Sequence, residues 1–503
     1  MINLSKGYLL NMSLSITSFS FFIFATFILV IYFIVPKYRW IVLFVASCLY
    51  YGYVSNWYVG PIAVSVGTLW FGSVYIDKIN QQKKKLGKSE EDISLKEVYK
   101  KRSKVILCVI IGINLGLLFF YKFAPNTILP LAISFYTLSG IGYIVDVYKG
   151  SEAERNICKL SLLLCFFPIV IQGPVVRYKK LRMTLYRDNH FDIHQIISGL
   201  ILVCWGGIKK LVIADRVYPL VNGVFSDYNT YSGFIILVAV VGYVIQLYCD
   251  FSGGIDIIIG WGTMFGISLP ENFKQPYFAT SVSEFWRRWH ISLGNWFKDY
   301  IYMPIAMSKL NNLVYGKLKN RFGTMAAKII TSCAITFIVW IMNGIWHGAG
   351  WKYVVFGAYM GILIAIDNLR KSEKRSDCLR ERWIHLAKNI RTLIFVAIGW
   401  MLIRVNTLSD FPKMIAAIFT KNSNGIIENV KYFWSDMDCA ILAYGVILLV
   451  IVEILQTRQS IRERVSNAKP IVQVIFWNVM IFTWLVLSYD AGDAVRGFIY
   501  AKF

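Results

Sequence analysis

Residues 13–35 read SLSITSFSFFIFATFILVIYFIV, 23 residues without a charge. The hydrocarbon core of a bilayer is about 30 Å thick and takes about 20 apolar residues in a helix to cross. Residues 13–35 therefore read as a membrane span. No small-residue cleavage pattern follows, so the span is expected to be retained rather than removed as a signal peptide. Further spans are expected at 40–58, 60–76, 105–121, 127–148, 232–249, 329–346, 350–366, 392–403, 439–455 and 471–489. The 503-residue chain is 56% hydrophobic and 16% charged, against about 25% charged in soluble domains. The composition excludes a water-soluble globule, a disordered chain and a disulfide scaffold. It predicts an all-α, polytopic integral membrane protein in which residues 1–503 form one domain.

The net charge of +24 does not signal nucleic acid, because the basic residues sit in short tracts between apolar stretches, as they do in cytoplasmic loops. The tract Lys78–Lys104 holds nine lysines and arginines from Lys83 onward, and residues 77–104 read as a cytoplasmic basic loop or helix. Three spans precede it. That places the amino terminus outside, the Lys37/Arg39 turn inside and the uncharged Ser55–Pro61 connection outside. Arg370–Arg391 and Arg458–Lys469 read as solvated charged tracts. The nine cysteines are scattered, with no metal or redox spacing, and read as small apolar fillers. His190 and His194 lie four apart but lack an acidic partner, so no metal site is assigned.

Charge alternation fails after Lys149 and Arg155. The next basic tract (Arg177, Lys179, Lys180, Arg182, Arg187) falls on the wrong side if 160–176 crosses the membrane, and Pro168, Gly173 and Pro174 interrupt that segment. A re-entrant segment satisfies both tracts; such backbone must be buried in protein or line a wet cavity. Ile196–Ile208 is short for a span before Lys209 and Lys210 and reads as a second partial insertion. Residues 160–310 thus form an expected re-entrant core, followed by a region around His347 at 329–366 and C-terminal helices at 392–489.

Only five histidines are present. His347 closes Trp340-Ile-Met-Asn343-Gly344-Ile-Trp346-His347-Gly348, where an imidazole at membrane depth is a functional candidate; an interfacial tryptophan belt is the competing reading. His290 lies in Glu284-Phe-Trp286-Arg287-Arg288-Trp289-His290. On a continuous helix it shares a face with Trp286, Leu293 and Phe297; an amphipathic interfacial helix is the alternative. There is no GxSxG elbow, no HxxxxD and no nucleotide loop. A neutral histidine that takes a hydroxyl proton during direct attack on an activated ester fits this pattern.

Several segments carry a resemblance to the membrane-bound O-acyltransferase family, in its bacterial branch of alginate O-acetyltransferases and teichoic-acid D-alanyl transfer. They are Leu131-Ala-Ile-Ser-Phe-Tyr-Thr with Tyr143-Ile-Val-Asp146, Gln172-Gly173-Pro174-Val-Val-Arg177-Tyr178, and Gly206-Gly-Ile-Lys209-Lys210 through Asp215-Arg216. Gln246-Leu-Tyr248-Cys-Asp250-Phe251-Ser252-Gly253, Leu269-Pro-Glu271-Asn272-Phe273, Glu284–Tyr300 and Gly344-Ile-Trp346-His347-Gly348 follow in order. The family often has alanine where Gln172 stands.

The resemblance implies a ring of about 11 or more transmembrane helices, with re-entrant segments, around a central funnel in a bacterial cell membrane. His347 and His290 map to the catalytic positions. Asn343, Trp346, Trp286, Trp289, Arg177, Asp250, Glu284 and Arg287 are the expected substrate-lining or supporting residues. The implied activity is transfer of a short acyl group, acetyl first, for O-acylation of an exported polysaccharide. Acetyl-CoA is the implied donor, with no tightly bound cofactor and with an extracytoplasmic acyl-accepting or acyl-transferring protein as partner. The alternatives are D-alanyl transfer to teichoic acid from an acyl carrier protein and a non-enzymatic glycan transporter or flippase.

Overall fold

The computed structural model describes residues 14–125, 127–348, 350–369, 379–421, 426–457 and 459–488. The first part of the tract at 370–391, Arg458, and the end of the stretch at 471–489 lie outside the described residues. Every regular element among the described residues is helical; the one extended pairing is a bridge between Phe273 and Trp289. Among the described residues, eight helices are long and apolar enough to cross a bilayer, or nine if the first two, which meet at 113°, form one broken span. The all-helical, polytopic expectation holds. The described residues pack as two compact units, one within 14–200 and 258–270, the other within 201–257 and 271–488.

The first unit opens with α1 (Phe19–Ile34) and α2 (Arg39–Val54). Arg39, read from sequence as a loop charge, is buried: its Nε donates to the Tyr32 carbonyl at 3.2 Å and its guanidinium lies over the Tyr32 and Phe33 rings. The basic tract is built into the ends of α3 (Gly60–Lys85) and α4 (Glu90–Phe123). Lys83, Lys84 and Lys85 occupy the last turn of α3, and Glu90, Glu91 and Asp92 the first turn of α4, behind a Ser89 cap. Both placements suit the helix dipole. At 1.5 Å per residue, α4 measures about 51 Å, so its charged start extends beyond what a bilayer core requires.

After α5 (Ile133–Tyr148), α6 (Ile157–Cys165) has nine residues, too few to cross. The chain then runs without helix to α7 (Tyr178–Leu185), and nearly all of residues 166–176 are buried. Their backbone is satisfied locally: Phe167 N–H donates to Ser47 Oγ at 3.1 Å, and Gly173 N–H to the Ile169 carbonyl at 2.8 Å. The stretch that Pro168, Gly173 and Pro174 interrupt is thus non-helical and buried. The loop before α6 is pinned by an Arg155–Asp77 ion pair of 2.6 Å and by Glu154, which receives the Tyr178 hydroxyl.

The expectation of a partial insertion at 196–208 is corrected. α8 (Ile193–Gly207) continues through a π-helical stretch, Ile208–Ala214, into α9 (Asp215–Ser226), and the 34 residues are long enough to cross. Lys209 and Lys210 do not end the helix because neither charge reaches water. Lys209 pairs with Asp256 at 2.6 Å and donates to Ser252; Lys210 pairs with Asp215 at 2.8 Å and Asp250 at 2.7 Å. Gly206 and Gly253 make this approach feasible, since a Cβ on Gly206 would lie 2.4 Å from the Gly253 carbonyl oxygen. α10 (Gly233–Met264) likewise runs through Gly253-Gly254 without a break.

The second unit continues with α11 (Val282–Arg288), α12 (Ile291–Phe297), a π-helical turn at Lys298–Tyr302, α13 (Met303–Ala306), α14 (Lys309–His347), α15 (Trp351–Leu369) and α16 (Leu379–Arg404). α17 (Asp410–Thr420), α18 (Ile426–Phe433), α19 (Asp436–Gln456), α20 (Ile461–Ser466) and α21 (Pro470–Ile481) complete it. The continuous helix expected across His290 does not form. The chain breaks there into α11 and α12, with His290 in the left-handed region at φ 47°, ψ 51°.

Candidate active site

His347 is the last residue of α14 and is buried. Its place depends on the tight hairpin of α14 with α15. A Cβ on Gly344 would lie 2.2 Å from the Tyr353 carbonyl oxygen, and one on Gly357 would lie 2.4 Å from that of Trp340. Gly344→Val is therefore expected to push the hairpin apart and displace His347. Overpacking of this kind costs about 1–3 kcal/mol. The expected result is a lower thermal midpoint in detergent together with lost activity at equal protein level.

Packed rings connect the two histidines. The His347 ring lies 4.9 Å from Trp346 and 6.1 Å from Phe356. Phe356 stacks on Trp400 of α16 at 5.9 Å, and Trp400 meets Trp289 at 5.1 Å and Trp286 at 5.6 Å. Trp289 meets Phe251 at 6.2 Å, and Phe251 stands edge-on to His290 at 4.8 Å. Tryptophan N–H groups usually find an acceptor when buried. Those of Trp286 and Trp289 have none among the described residues, and neither does the Asn343 Oδ1 one turn before His347. Unmatched polar atoms in an apolar site are costly unless a ligand or water meets them.

His290 is fully enclosed, and burial pushes its pKa down to about 3, so the ring is neutral. Its Nδ1 lies 3.3 Å from Asn272 Oδ1. Glu284 accepts the Thr280 N–H and hydroxyl at 2.8 and 2.9 Å and pairs with Arg288 at 2.6 Å. Burial raises its carboxyl, but the Thr280 hydrogen bonds and the Arg288 charge outweigh this and hold its pKa below the ordinary value.

The expected residues are thus distributed unevenly. His347, Asn343, Trp346, Trp286, Trp289 and His290 belong to the second unit and are linked by ring packing or helix register. Asp250 is buried in the Lys210 ion pair. Arg287, expected to line the site, is exposed, because the turn of α11 directs Phe285 and Trp289 inward. Arg177 lies in the first unit. Sequence reasoning missed Phe356, Trp400 and Asn272. The first two sit inside ordinary apolar stretches and carry no signal of their own, whereas Asn272 stood in the Leu269–Phe273 segment without an assigned role.

The pattern of the MBOAT, membrane-bound O-acyltransferase family matches residues 155–406, half of the chain and the part that contains both histidines. The chain is 31% identical over 410 residues to the probable alginate O-acetylase AlgI of Pseudomonas putida, covering 76% of this chain and 75% of that protein. It is 28% identical over 438 residues to the peptidoglycan O-acetyltransferase of Helicobacter pylori, covering 77% and 74%. It is 27% identical over 284 residues to the teichoic acid D-alanyltransferase of Bacillus subtilis, covering 55% and 68%. With its buried histidines, its apolar helices and these similarities, the chain belongs to the membrane-bound O-acyltransferase family and is a multi-pass O-acyltransferase of a bacterial plasma membrane.

Proposed function

We propose that the protein O-acetylates an exported polysaccharide, with His347 as general base and His290 assisting at the reacting hydroxyl. The observation that carries this reading is the pair of buried imidazoles joined by an unbroken run of packed rings, beside unmatched Trp286, Trp289 and Asn343 polar atoms. In the proposed step the His347 imidazole takes the proton of the acceptor hydroxyl as its oxygen attacks the acyl carbonyl. The carbon–sulfur bond of the thioester breaks, and the departing thiolate takes the proton from the imidazolium. A buried, water-poor site favours transfer to the hydroxyl over hydrolysis. Asn343, Trp286, Trp289 and Trp346 line the acyl position. Asp250, Glu284 and Arg288 support the surrounding helices, and Arg177 and Arg287 are further candidates for lining or support.

Acetyl is favoured over D-alanyl because the relatives named for O-acetylation match more of this chain than those named for D-alanylation. Acetyl-CoA is the proposed donor; the basic surplus suits its anionic phosphates. An extracytoplasmic protein that receives the acyl group is the proposed partner. Family membership leaves the transporter reading without support of its own. The test is incubation of membranes containing the protein with radiolabelled acetyl-CoA and cell-surface polymer. Label in base-labile esters is expected, and its absence alongside transfer from a D-alanyl carrier protein would replace acetyl with D-alanyl.

A further inference from the structure

His290 sits between two short helices in a backbone conformation that non-glycine residues adopt only when their surroundings over-determine it. The segment 272–274 supplies that constraint. Lys274 N–H donates to the Arg288 carbonyl at 2.9 Å, Phe273 bridges Trp289, and Ile291 N–H donates to the Asn272 carbonyl at 3.0 Å. Because His290 is the N-cap of α12 and makes no side-chain cap of its own, the start of that helix is capped from outside. The Asn272 side chain does this by accepting the Ser292 N–H at 2.9 Å.

That bond decides which end of the Asn272 amide faces His290. A backbone N–H can only donate, so the amide atom it meets is the oxygen, and the same oxygen lies 3.3 Å from His290 Nδ1. An amide oxygen only accepts. We propose that Asn272 is a positioning residue that locks His290 as the Nδ1–H tautomer and so presents its Nε2 as a lone-pair acceptor toward the acceptor hydroxyl. The role at the hydroxyl rests on the proposed reaction site; the tautomer lock does not. Because the ring is neutral, it has one N–H to place, and its position decides whether Nε2 accepts or donates a hydrogen bond.

The test uses the full chain labelled with ¹⁵N-histidine in detergent or nanodiscs. Five histidines give few signals, and His290→Gln identifies the one in question. The wild type is expected to show a protonated Nδ1 and an unprotonated Nε2. Asn272→Asp, which keeps the acceptor oxygen, is expected to retain both the pattern and the activity. Asn272→Leu is expected to shift the proton toward Nε2 and to lower kcat about 10²-fold, with KM changed less than about twofold. A protonated Nε2 in the wild type, or an unchanged spectrum in folded Asn272→Leu, overturns the lock. If the spectra behave as expected while His290→Gln and Asn272→Leu turn over normally, the lock stands and the catalytic reading of His290 fails.

Discussion

His347→Ala is expected to abolish acyl transfer while the protein still folds and reaches the membrane. General-base catalysis by a positioned side chain contributes about 10²–10⁴-fold, so the loss is of that order or down to background. The imidazole closes α14 and is packed by Trp346 and Phe356. Its removal leaves a small space but does not touch the glycine-mediated hairpin that holds the backbone. The measurement is ester content of cell-surface polymer in a complemented deletion strain, normalised to protein level, with labelled-donor transfer in membranes as the direct assay. His347→Gln fills more of the volume and is expected to be equally inactive, which separates packing from chemistry. Normal ester content in either variant would remove His347 from the mechanism.

Lys210→Met is expected to have the largest effect on stability. Lys210 is fully buried between Asp215 and Asp250, and its ammonium offsets two carboxylates in the protein interior. Breaking a buried pair from one side costs about 3–5 kcal/mol because the remaining charge has no counter-ion. Here two carboxylates remain. Heating in detergent followed by size-exclusion chromatography should show a sharply lower midpoint than for Lys83→Met, at the charged end of α3. The triple variant Lys210→Met/Asp215→Asn/Asp250→Asn is expected to recover most of the loss, since a neutral replacement of a whole buried network is often tolerated. Failure of the triple variant to recover would mean that the network specifies the path of the π-helical stretch rather than only balancing charge.

These two residues also show how far residue patterns could be read. His347 stood out because an imidazole among apolar residues and glycines is rare and costly at membrane depth, a property of local sequence. Lys210 was misread for a related reason. Two adjacent lysines after a short apolar run have the composition of a loop, and only the carboxylates at 215, 250 and 256 show that they are interior charges. Arg39 was misread in the same way, since its sequence neighbours do not reveal the rings it lies over. Residues 166–177 were legible because prolines and glycine interrupted a segment whose flanking charges also refused to alternate.

The helical class, the membrane environment and the two candidate histidines follow from apolar run length and from the rarity of ionisable groups, which act locally along the chain. The break at His290, the Trp400 and Phe356 bridge to His347 and the Asn272 contact arise from residues separated by 9 to 111 positions. Periodicity extends a helix through His290, whereas the pairing of 272–274 with 288–291 ends it there. The geometry of a long-range contact depends on which helix faces pack together, and no local pattern of side chains contains that information.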